Sequence, residues 1–339
     1  MNNTKLEDIA HALVAPGKGI LAADVEPERL ANGFWGPMRE PKNISSAREF
    51  QEMIFRTPGL NKDLSGIIVF DDILEQKAKD GSLFPDLIKR QGIMIGITPS
   101  TGYQYLGSSP KEYIPTGLDG LPKRLGKWRE LGVSFVKWRV AAKVGLGLPT
   151  PLAVEVGAHS VAEYAALAQA AGLVPIVEPE VEMRGPHDIH RHFELTEFFL
   201  HRILEALYLH KVILEGIVVK TNMVLSGSEC PEQADEDTVA SETIKCLRRT
   251  LPPAIPGIAF LSGGQSDEKS TAHLNAMNVR GPQPWRLTFS YGRAMGKSAL
   301  EAWDGKTENS TGQIALLHRA RMNGLAALGK WSSELEKVG

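Results

Sequence analysis

Short apolar segments alternate with amphipathic segments along nearly the whole 339-residue chain. The apolar segments are rich in β-branched residues, which is typical of strands buried on both faces of a parallel sheet. Eight such segments predict strands over residues 19–24, 65–71, 92–98, 133–139, 173–178, 214–220, 257–262 and 286–290.

The segments between these strands have apolar residues at helical spacing. They predict helices over residues 47–56, 73–80, 118–131, 161–171, 194–210 and 235–249, a short helix over 6–13, and further helices to residue 337. Ser46 with Glu49, and Ser160 with Glu163, have the spacing of capping boxes and predict two helix starts. Residues 25–43 contain enough proline and glycine to predict a long loop with at most one short helix.

This alternation predicts an α/β fold, a (β/α)8 TIM barrel. We expect one domain over residues 1–339, with a short N-terminal helix and a helical C-terminal tail, because no linker or low-complexity segment divides the chain. The competing architecture is an open, doubly wound sheet. It is disfavoured because no Gly-x-Gly-x-x-Gly motif follows an early strand.

Composition narrows the class of protein. The chain has 38 basic and 40 acidic residues and a net charge of -2, which indicates neither a nucleic-acid nor a membrane-surface partner. Cys230 and Cys246 lack the spacing of a thiolate zinc site or a disulfide framework, so we expect a reducing compartment. We expect a cytoplasmic protein, because the sequence has neither a secretory signal nor an apolar run that would span a bilayer.

Ionisable residues stand at the ends of most predicted strands. They are Asp24 (strand one), Lys137 and Arg139 (strand four), Glu178 and Glu180 (strand five), Lys220 (strand six) and Arg293 (just after strand eight). The catalytic groups of such barrels lie at the carboxyl ends of the strands, and side chains two residues apart point to the same face. We therefore expect these groups to meet at one mouth of the barrel.

Lys220 is the candidate nucleophile, because a desolvated lysine amine attacks carbonyl groups to form a Schiff base. Burial and the nearby charge of Lys137 favour its neutral form. Glu178 is a candidate general acid for carbinolamine dehydration, and Asp24 or Glu180 could hold Lys137 charged or act as a base. The alternatives are a lysine that extends into solvent and carboxylates that only form ion pairs at the rim. So many buried charges seldom repay their desolvation by stability alone.

Two loops predict an anion site. Ser262-Gly263-Gly264-Gln265 follows strand seven, and Ser290-Tyr291-Gly292-Arg293 follows strand eight. Their glycines let backbone N–H groups approach a ligand, and the arginine can donate two hydrogen bonds to it. The loops after strands seven and eight are a frequent phosphate site in barrels.

Seven segments together resemble the class I fructose-1,6-bisphosphate aldolase family, in its animal and plant branch. They are Gly19-Ile-Leu-Ala-Ala-Asp24, Phe135-Val-Lys-Trp-Arg139, Pro175-Ile-Val-Glu-Pro-Glu180, Leu214-Glu-Gly through Lys220-Thr-Asn-Met-Val224, Leu247-Arg-Arg-Thr-Leu-Pro-Pro253, Phe260-Leu-Ser-Gly-Gly-Gln265 and Leu287-Thr-Phe-Ser-Tyr-Gly-Arg293. They cover nearly the whole chain in the order of the family.

The resemblance implies a lyase that cleaves a ketose 1-phosphate, by default fructose 1,6-bisphosphate, to dihydroxyacetone phosphate and an aldehyde without a metal or other cofactor. It implies a Schiff base on Lys220, Glu178 as its acid and base, and Asp24 with Lys137 in carbon–carbon cleavage. Glu180 would support this cluster, and Arg139 would lie at the substrate mouth. Ser262, Gly263, Gly292 and Arg293 would hold the C1 phosphate. A homotetramer is also implied.

The chain departs from the family pattern where the far phosphate of the substrate would bind. The family has serines and an arginine soon after the strand-one aspartate, where this chain has Val25-Glu-Pro-Glu-Arg29. Thr98 replaces a strand-three lysine, and Arg29, opposed by Glu26 and Glu28, is the candidate replacement cation. We therefore hypothesise an aldehyde partner other than glyceraldehyde 3-phosphate. The C-terminal tyrosine of the family has no counterpart either, since no tyrosine follows Tyr291.

Two further interpretations stay open. His187, His190 and His192 could form a metal site, although a solvated junction between a loop and a helix is the alternative. The chain could also be a catalytically silent scaffold or ligand sensor, which the simultaneous presence of Lys220, Glu178, Lys137 and Asp24 disfavours.

Overall fold

The computed structural model describes residues 3–36, 43–305 and 310–337. Eight parallel strands close into a barrel, in the spatial order β1-β10-β9-β8-β7-β6-β3-β2. These strands are β1 (Gly19–Ala22), β2 (Leu64–Val69), β3 (Met94–Ile97), β6 (Phe135–Ala142), β7 (Val174–Val181), β8 (Val218–Thr221), β9 (Gly257–Phe260) and β10 (Arg286–Tyr291). Two further strands, β4 (Gly102–Leu106) and β5 (Ser109–Thr116), form a separate antiparallel hairpin. The closed barrel confirms the predicted TIM-barrel fold.

Helices follow the strands around the outside of the barrel. They are α1 (Asn3–Leu13), α2 (Pro27–Ala31), α3 (Ile44–Arg56), α4 (Phe84–Arg90), α5 (Leu121–Glu130), α6 (Pro151–Ala170), α7 (Ile189–Leu209), α8 (Glu236–Thr250), α9 (Asp267–Val279), α10 (Arg293–Trp303) and α11 (Ser310–Ala326), with 3-10 turns at Leu60–Lys62, Asp71–Leu74, Leu214–Gly216 and Ser333–Lys337. None of the described helices has the length and apolar character needed to span a lipid bilayer.

Helix α1 closes the amino-terminal end of the barrel. Leu6, Ala10 and Leu13 of this helix pack in one buried cluster with inward-facing barrel residues such as Phe135 and Ile176. A Cβ atom on Gly96 would lie 2.1 Å from the Phe135 ring, so glycine in β3 makes room for this aromatic side chain. The amino-terminal end is therefore filled with apolar side chains. The carboxyl ends of the strands form the other mouth of the barrel.

Several predicted boundaries are wrong, although the strand order is right. The predicted fourth and fifth strands end too early, since β6 continues to Ala142 and β7 to Val181. Residues 214–216 form a 3-10 turn before β8. The predicted helix over residues 73–80 is absent, because its only regular turn is the end of the Asp71–Leu74 segment, and the helix of this unit is α4.

Both predicted capping boxes are also wrong. The N-cap of α3 is Asn43, whose side chain accepts a hydrogen bond from the Ser46 N–H at 2.9 Å. The N-cap of α6 is Thr150, ten residues before Ser160. Ser160 lies inside α6, where its hydroxyl accepts a hydrogen bond from Trp138. Of the predicted loop over residues 25–43, residues 37–42 lie outside the described part of the chain, as do residues 338–339 of the predicted tail.

Candidate active site

The candidate catalytic side chains form the layer of the barrel interior that follows the apolar layer. Ala22, Phe135, Ile176 and Val218 all belong to the inner apolar cluster. The residues two positions later in the chain are Asp24, just after β1, and Lys137, Glu178 and Lys220 within their strands. Because side chains alternate between the two faces of a strand, these residues also point inward, one layer nearer the carboxyl ends.

A continuous chain of ion pairs connects these four side chains. The Lys220 Nζ lies 2.9 Å from Glu178 Oε1, and the other carboxylate oxygen of Glu178 lies 3.2 Å from Lys137 Nζ. Lys137 Nζ lies 2.6 Å from Asp24 Oδ2, which also accepts a 2.8 Å hydrogen bond from Thr98. The side chain of Lys220 is only 5% exposed and that of Glu178 only 4%. The predicted convergence of these residues is therefore observed.

The two lysines keep both inner carboxyl groups ionised. Burial raises the pKa of Asp24, but Lys137 and Lys220 lower it by more, so that it lies below the usual 3.8. Burial likewise raises the pKa of Glu178, and Lys137, Lys220 and Arg139 outweigh burial. Burial lowers the pKa of Lys137, but Asp24 and Glu178 raise it above the usual 10.5. Lys137 is therefore a permanent cation at neutral pH.

Glu180 does not contact Lys137, the ion-pair partner that the sequence analysis considered for it. Its Oε2 lies 2.5 Å from Arg139 Nε, and no ion pair joins it to Lys137 in the described structure. Arg139 and Glu180 therefore form a separate pair at the edge of the catalytic cluster.

A cavity of about 810 Å³ opens at this end of the barrel. Its wall includes every candidate catalytic and substrate-binding residue of the sequence analysis except Glu178, which lies buried behind Lys137 and Lys220. The candidate residues on the wall are Asp24, Arg29, Lys137, Arg139, Glu180, Lys220, Ser262, Gly263, Gly264, Ser290, Gly292 and Arg293. The cavity therefore places the buried amine beside the two glycine-containing loops.

The loops after β9 and β10 form one side of the cavity. Gly263 and Gly264 have φ angles of 54° and 102°, which favour glycine. A Cβ atom on Gly292 would lie 2.9 Å from the carbonyl oxygen of Ala22, so that only glycine fits at the N-cap of α10. Ser290 is 1% exposed and its buried hydroxyl has no hydrogen-bond partner within the described residues. Arg293, in the first turn of α10, forms no salt bridge within the described part of the chain.

The segment after β1, which is the neighbour of β10 in the barrel, has a different character from the two glycine loops. Arg29 of this segment lies on the cavity wall, as expected, but its Nη1 is 3.6 Å from Glu26 and its guanidinium lies 4.1 Å above the centre of the Phe34 ring. Thr98, which stands in place of the family lysine, binds Asp24 and thus belongs to the catalytic cluster.

His192, one of the three clustered histidines, has a structural role. His192 is fully buried, its Nδ1 accepts a hydrogen bond from the Leu225 N–H at 3.0 Å, and its Nε2 lies 3.2 Å from the Val181 carbonyl oxygen. Both ring nitrogens are therefore used by the backbone. His190 is exposed. Among residues 3–36, 43–305 and 310–337, no group of three or more potential ligands is arranged to hold a metal ion.

Sequence reasoning missed two features of the site. The first is Tyr103, which the β4–β5 hairpin brings to the cavity wall. Its signal was weak, because the residues of this hairpin lack a run of apolar residues. The second is Asn222, whose Oδ1 accepts a hydrogen bond from the Val181 N–H and so ties the residue after β8 to β7. The conspicuous apolar segment before Asn222 gave no indication of this contact.

The chain is similar along almost its whole length to known aldolases. The family model for fructose-bisphosphate aldolase class-I matches residues 5–339. A probable fructose-bisphosphate aldolase class 1 of Xanthomonas campestris is 46% identical over 336 residues, which cover 98% of this chain and 99% of that protein. A fructose-bisphosphate aldolase of Dictyostelium discoideum is 42% identical over 340 residues, which cover 98% of this chain and 95% of that protein.

A solved structure gives the same result for the fold. It is the fructose-bisphosphate aldolase of Plasmodium falciparum in complex with TRAP and a small molecule inhibitor, with a TM-score of 0.93 and 38% sequence identity, covering 97% of this chain and 96% of that one. The fold and the site thus place the protein among the TIM-barrel lyases. The chain belongs to the class-I fructose-bisphosphate aldolase family.

Proposed function

We propose that the protein cleaves a ketose 1-phosphate reversibly to dihydroxyacetone phosphate and an aldehyde, through a Schiff base on Lys220. Fructose 1,6-bisphosphate is the default substrate of the family. The observation that carries the proposal is the position of the Lys220 amine, which is buried at the barrel mouth with Glu178 at 2.9 Å and with the cavity in front of it.

Glu178 is placed to move the protons of Schiff-base formation. Its carboxylate accepts a proton from the Lys220 ammonium, and the free amine then attacks the C2 carbonyl of the substrate. A proton passes from the nitrogen to the oxygen of the adduct, which gives the carbinolamine. Glu178 returns its proton to the carbinolamine hydroxyl, which leaves as water. The C2–N bond becomes the iminium, and Glu178 becomes a carboxylate again.

Asp24 and Lys137 are placed for the cleavage step. A base removes the proton of the C4 hydroxyl, the C3–C4 bond breaks, and its electron pair moves into the iminium to form an enamine. The Asp24 carboxylate can accept that proton, and the Lys137 ammonium at 2.6 Å holds Asp24 in place. Protonation of the enamine at C3 and hydrolysis of the resulting imine release dihydroxyacetone phosphate.

The glycine loops are placed to hold the C1 phosphate. Ser262, Gly263, Gly264, Ser290, Gly292 and Arg293 line the same side of the cavity. The Ser290 hydroxyl has no hydrogen-bond partner among the residues that the structure describes, and Arg293 stands at the N-terminus of α10, where the helix dipole favours an anion. Arg139, paired with Glu180, would stay at the substrate mouth.

Borohydride reduction in the presence of dihydroxyacetone phosphate tests the proposal. The reductant converts an imine to a stable secondary amine, so peptide mass mapping should find the label on Lys220. Lys220→Met should take up no label. Lys143→Met is the control, because Lys143 is a half-buried lysine that does not line the cavity, and the variant should keep the label on Lys220. A chain that takes up no label would be a silent scaffold or ligand sensor, the competing interpretation.

We also propose that the chain forms one domain and acts as a cytoplasmic homotetramer, in line with the resemblance of the sequence to its family. Light scattering coupled to size-exclusion chromatography tests the assembly, since a tetramer requires four times the 37.0 kDa chain mass. Fractionation of the source cells tests the location.

A further inference from the structure

The loop after β9 is a tight turn whose first carbonyl group is held twice by Gln265. The backbone N–H of Gln265 donates a 3.0 Å hydrogen bond to the carbonyl oxygen of Ser262, and its side-chain Nε2 donates a second one, also at 3.0 Å. Gly263 and Gly264 lie between these residues with positive φ angles, so the chain reverses direction over four residues. Gln265 thus fixes the orientation of the peptide group between Ser262 and Gly263.

This peptide group presents its N–H on the side opposite to its carbonyl. The bond is trans, and a trans peptide points its C=O and the following N–H in opposite directions. The N–H that follows Ser262 is that of Gly263, which donates to no backbone carbonyl in the described part of the chain. Gly263 also lines the cavity. Its N–H is therefore available to a phosphate bound there.

The side chain of Gln265 is fixed in turn by His273, whose Nδ1 lies 2.5 Å from Gln265 Oε1. Because the Ser262 carbonyl oxygen can only accept a hydrogen bond, the Gln265 amide must turn its NH2 group to Ser262 and its oxygen to His273. That oxygen also can only accept, so the shared proton lies on His273 Nδ1. The three residues form one chain of hydrogen bonds in which every donor and acceptor is determined.

The surroundings of His273 keep its ring in this state. His273 is completely buried, and its Nε2 has no hydrogen-bond partner among the described residues. Burial lowers the pKa of His273 to about 4, so the ring is neutral at pH 7 and carries one proton. A proton on Nε2 would leave a buried donor unpaired and would set two lone pairs against each other at Nδ1. His273 therefore offers Gln265 a single, defined donor.

Helix α9, which carries His273, is anchored to α11 by buried polar side chains. The Thr271 hydroxyl donates a 2.6 Å hydrogen bond to Asn323 Oδ1 and accepts one of 2.6 Å from Arg319 Nη2. Thr271, Asn323 and Arg319 are all buried. His273 follows Thr271 by two residues in the same helix. The imidazole is thus attached to a rigid part of the fold and not to the loop that it holds.

We propose that His273 is a positioning residue for phosphate binding. Through Gln265 it holds the peptide group between Ser262 and Gly263, so that the Gly263 N–H points at the C1 phosphate of the substrate. The inference rests on the proposed function and adds a residue that does not itself line the cavity. Since these hydrogen bonds exist before the substrate arrives, binding does not have to order the loop, and affinity for the phosphate is higher.

The test compares His273→Leu with His273→Asn in aldol addition to dihydroxyacetone phosphate. Leucine fills the space but donates no hydrogen bond, whereas the asparagine amide can place an N–H near the position of Nδ1. Loss of one hydrogen bond should raise KM for dihydroxyacetone phosphate roughly 2- to 12-fold in His273→Leu and change kcat little. His273→Asn should restore most of the affinity. An unchanged KM in His273→Leu overturns the inference, and so does an equal rise in both variants.

Two comparisons separate phosphate positioning from a general loss of structure. Unphosphorylated dihydroxyacetone has no phosphate to bind, so the rate of its aldol addition should be unchanged in His273→Leu. An equal loss for both ketones would give His273 a purely structural role and overturn the inference. His192→Gln is the matched control, because His192 is also completely buried but contacts the backbone of Val181 and Leu225. It should lower stability without raising KM. A rise equal to that of His273→Leu would also overturn the inference.

Gln265→Met covers the case in which His273→Leu does not fold, since Gln265 is only half-buried. Methionine is of similar length but has no N–H to donate to the Ser262 carbonyl. KM for dihydroxyacetone phosphate should rise at least as much as in His273→Leu. The double variant should show no further rise, because both substitutions break the same chain of hydrogen bonds. An unchanged KM in Gln265→Met, or full additivity in the double variant, overturns the inference.

Borohydride labelling of Lys220 with dihydroxyacetone phosphate distinguishes failure of this inference from failure of the proposed function. An unaltered chain that takes up no label refutes the proposed function. A chain that is labelled, but whose KM does not change in His273→Leu, refutes only the positioning role of His273.

Discussion

The ammonium of Lys137 lies 2.6 Å from the carboxylate of Asp24, although the two residues are 113 positions apart in the chain. The same ammonium lies 3.2 Å from Glu178. One permanent cation thus bridges two carboxylates that we assign to different chemical steps, Glu178 to Schiff-base formation and Asp24 to carbon–carbon cleavage. This arrangement lets single substitutions separate the two steps.

Asp24→Asn should stop cleavage and spare the Schiff base. The amide keeps the shape of the side chain but cannot accept the C4 hydroxyl proton, and loss of a general base costs roughly 10²–10⁴-fold in rate. We expect kcat for ketose 1-phosphate cleavage to fall in that range, while borohydride labelling of Lys220 by dihydroxyacetone phosphate continues. Steady-state kinetics and mass spectrometry measure both quantities.

Thr98 supplies the control for that experiment, because its hydroxyl donates a 2.8 Å hydrogen bond to Asp24 and is not itself a base. Thr98→Ser keeps the hydroxyl donor, so its kcat should be close to that of the unaltered chain. Thr98→Val removes the donor and should lower kcat by a smaller factor than Asp24→Asn. If Asp24→Asn lost labelling and cleavage to the same extent, the separation of steps would be wrong.

Glu178→Gln should slow Schiff-base formation. The Lys220 ammonium then loses the acceptor at 2.9 Å to which it passes a proton, and the carbinolamine hydroxyl loses its acid. We expect the rate of borohydride-trappable imine formation to fall by roughly 10²–10⁴-fold, as for other positioned acids and bases. Rapid-quench labelling measures this rate. Glu180→Gln is the control, since Glu180 pairs with Arg139 and its loss should leave the labelling rate within a few-fold.

The convergence of these groups could be predicted from the sequence, because their positions at the ends of apolar segments indicate it. Lys220 and Glu178 each end an apolar, β-branched segment, and in a barrel such ends meet at one mouth. The partner of Glu180 could not be predicted, because pairing depends on side-chain direction and on the register of β6 and β7, which place Ala141 opposite Glu180. The same holds for Thr98, whose contact with Asp24 joins residues 74 positions apart.

Residue spacing gave a wrong prediction where the same residues fit either a helix start or the interior of a helix. Ser160 and Glu163 have the spacing of a capping box, yet the helix begins earlier because Thr150 caps it and Pro151 fits its first turn. The hairpin of β4 and β5 was missed for the opposite reason. Its alternation is limited to Tyr103 and Tyr105 on either side of Gln104, which is too short a pattern to predict a strand.

His192 predicts a loss of stability in mild acid. Burial lowers its pKa to about 4, against 6.5 in an unfolded chain. The unfolded state therefore binds more protons between these values, and the free energy of unfolding should fall as the pH drops from about 6.5 to 4. A shift of this size corresponds to about 3 kcal/mol. Below pH 4 this group should contribute no further loss.

Urea unfolding at several pH values between 7.5 and 4 measures this effect. His192→Gln removes the titrating ring, so it should lower stability at pH 7, because the Leu225 N–H loses its acceptor, but should flatten the pH dependence. His190→Gln is the matched control, since His190 is exposed and its replacement should leave the profile unchanged. A profile that stays as steep in His192→Gln would assign the loss to other groups.

Arg293→Ala should weaken recognition of the C1 phosphate and little else. Arg293 is the first residue of α10 and forms no salt bridge in the described structure, so its guanidinium is available to the ligand. Hydrogen bonds to charged groups contribute about 1.5–3 kcal/mol, so KM for dihydroxyacetone phosphate in the aldol direction should rise roughly 10- to 150-fold. Arg293→Lys keeps the positive charge but loses the planar guanidinium that donates two parallel hydrogen bonds, so KM should rise less in this variant. Unphosphorylated dihydroxyacetone has no phosphate for this arginine to bind, so the rate of its aldol addition should be unchanged in Arg293→Ala. An equal loss for both ketones would place Arg293 in a structural role instead.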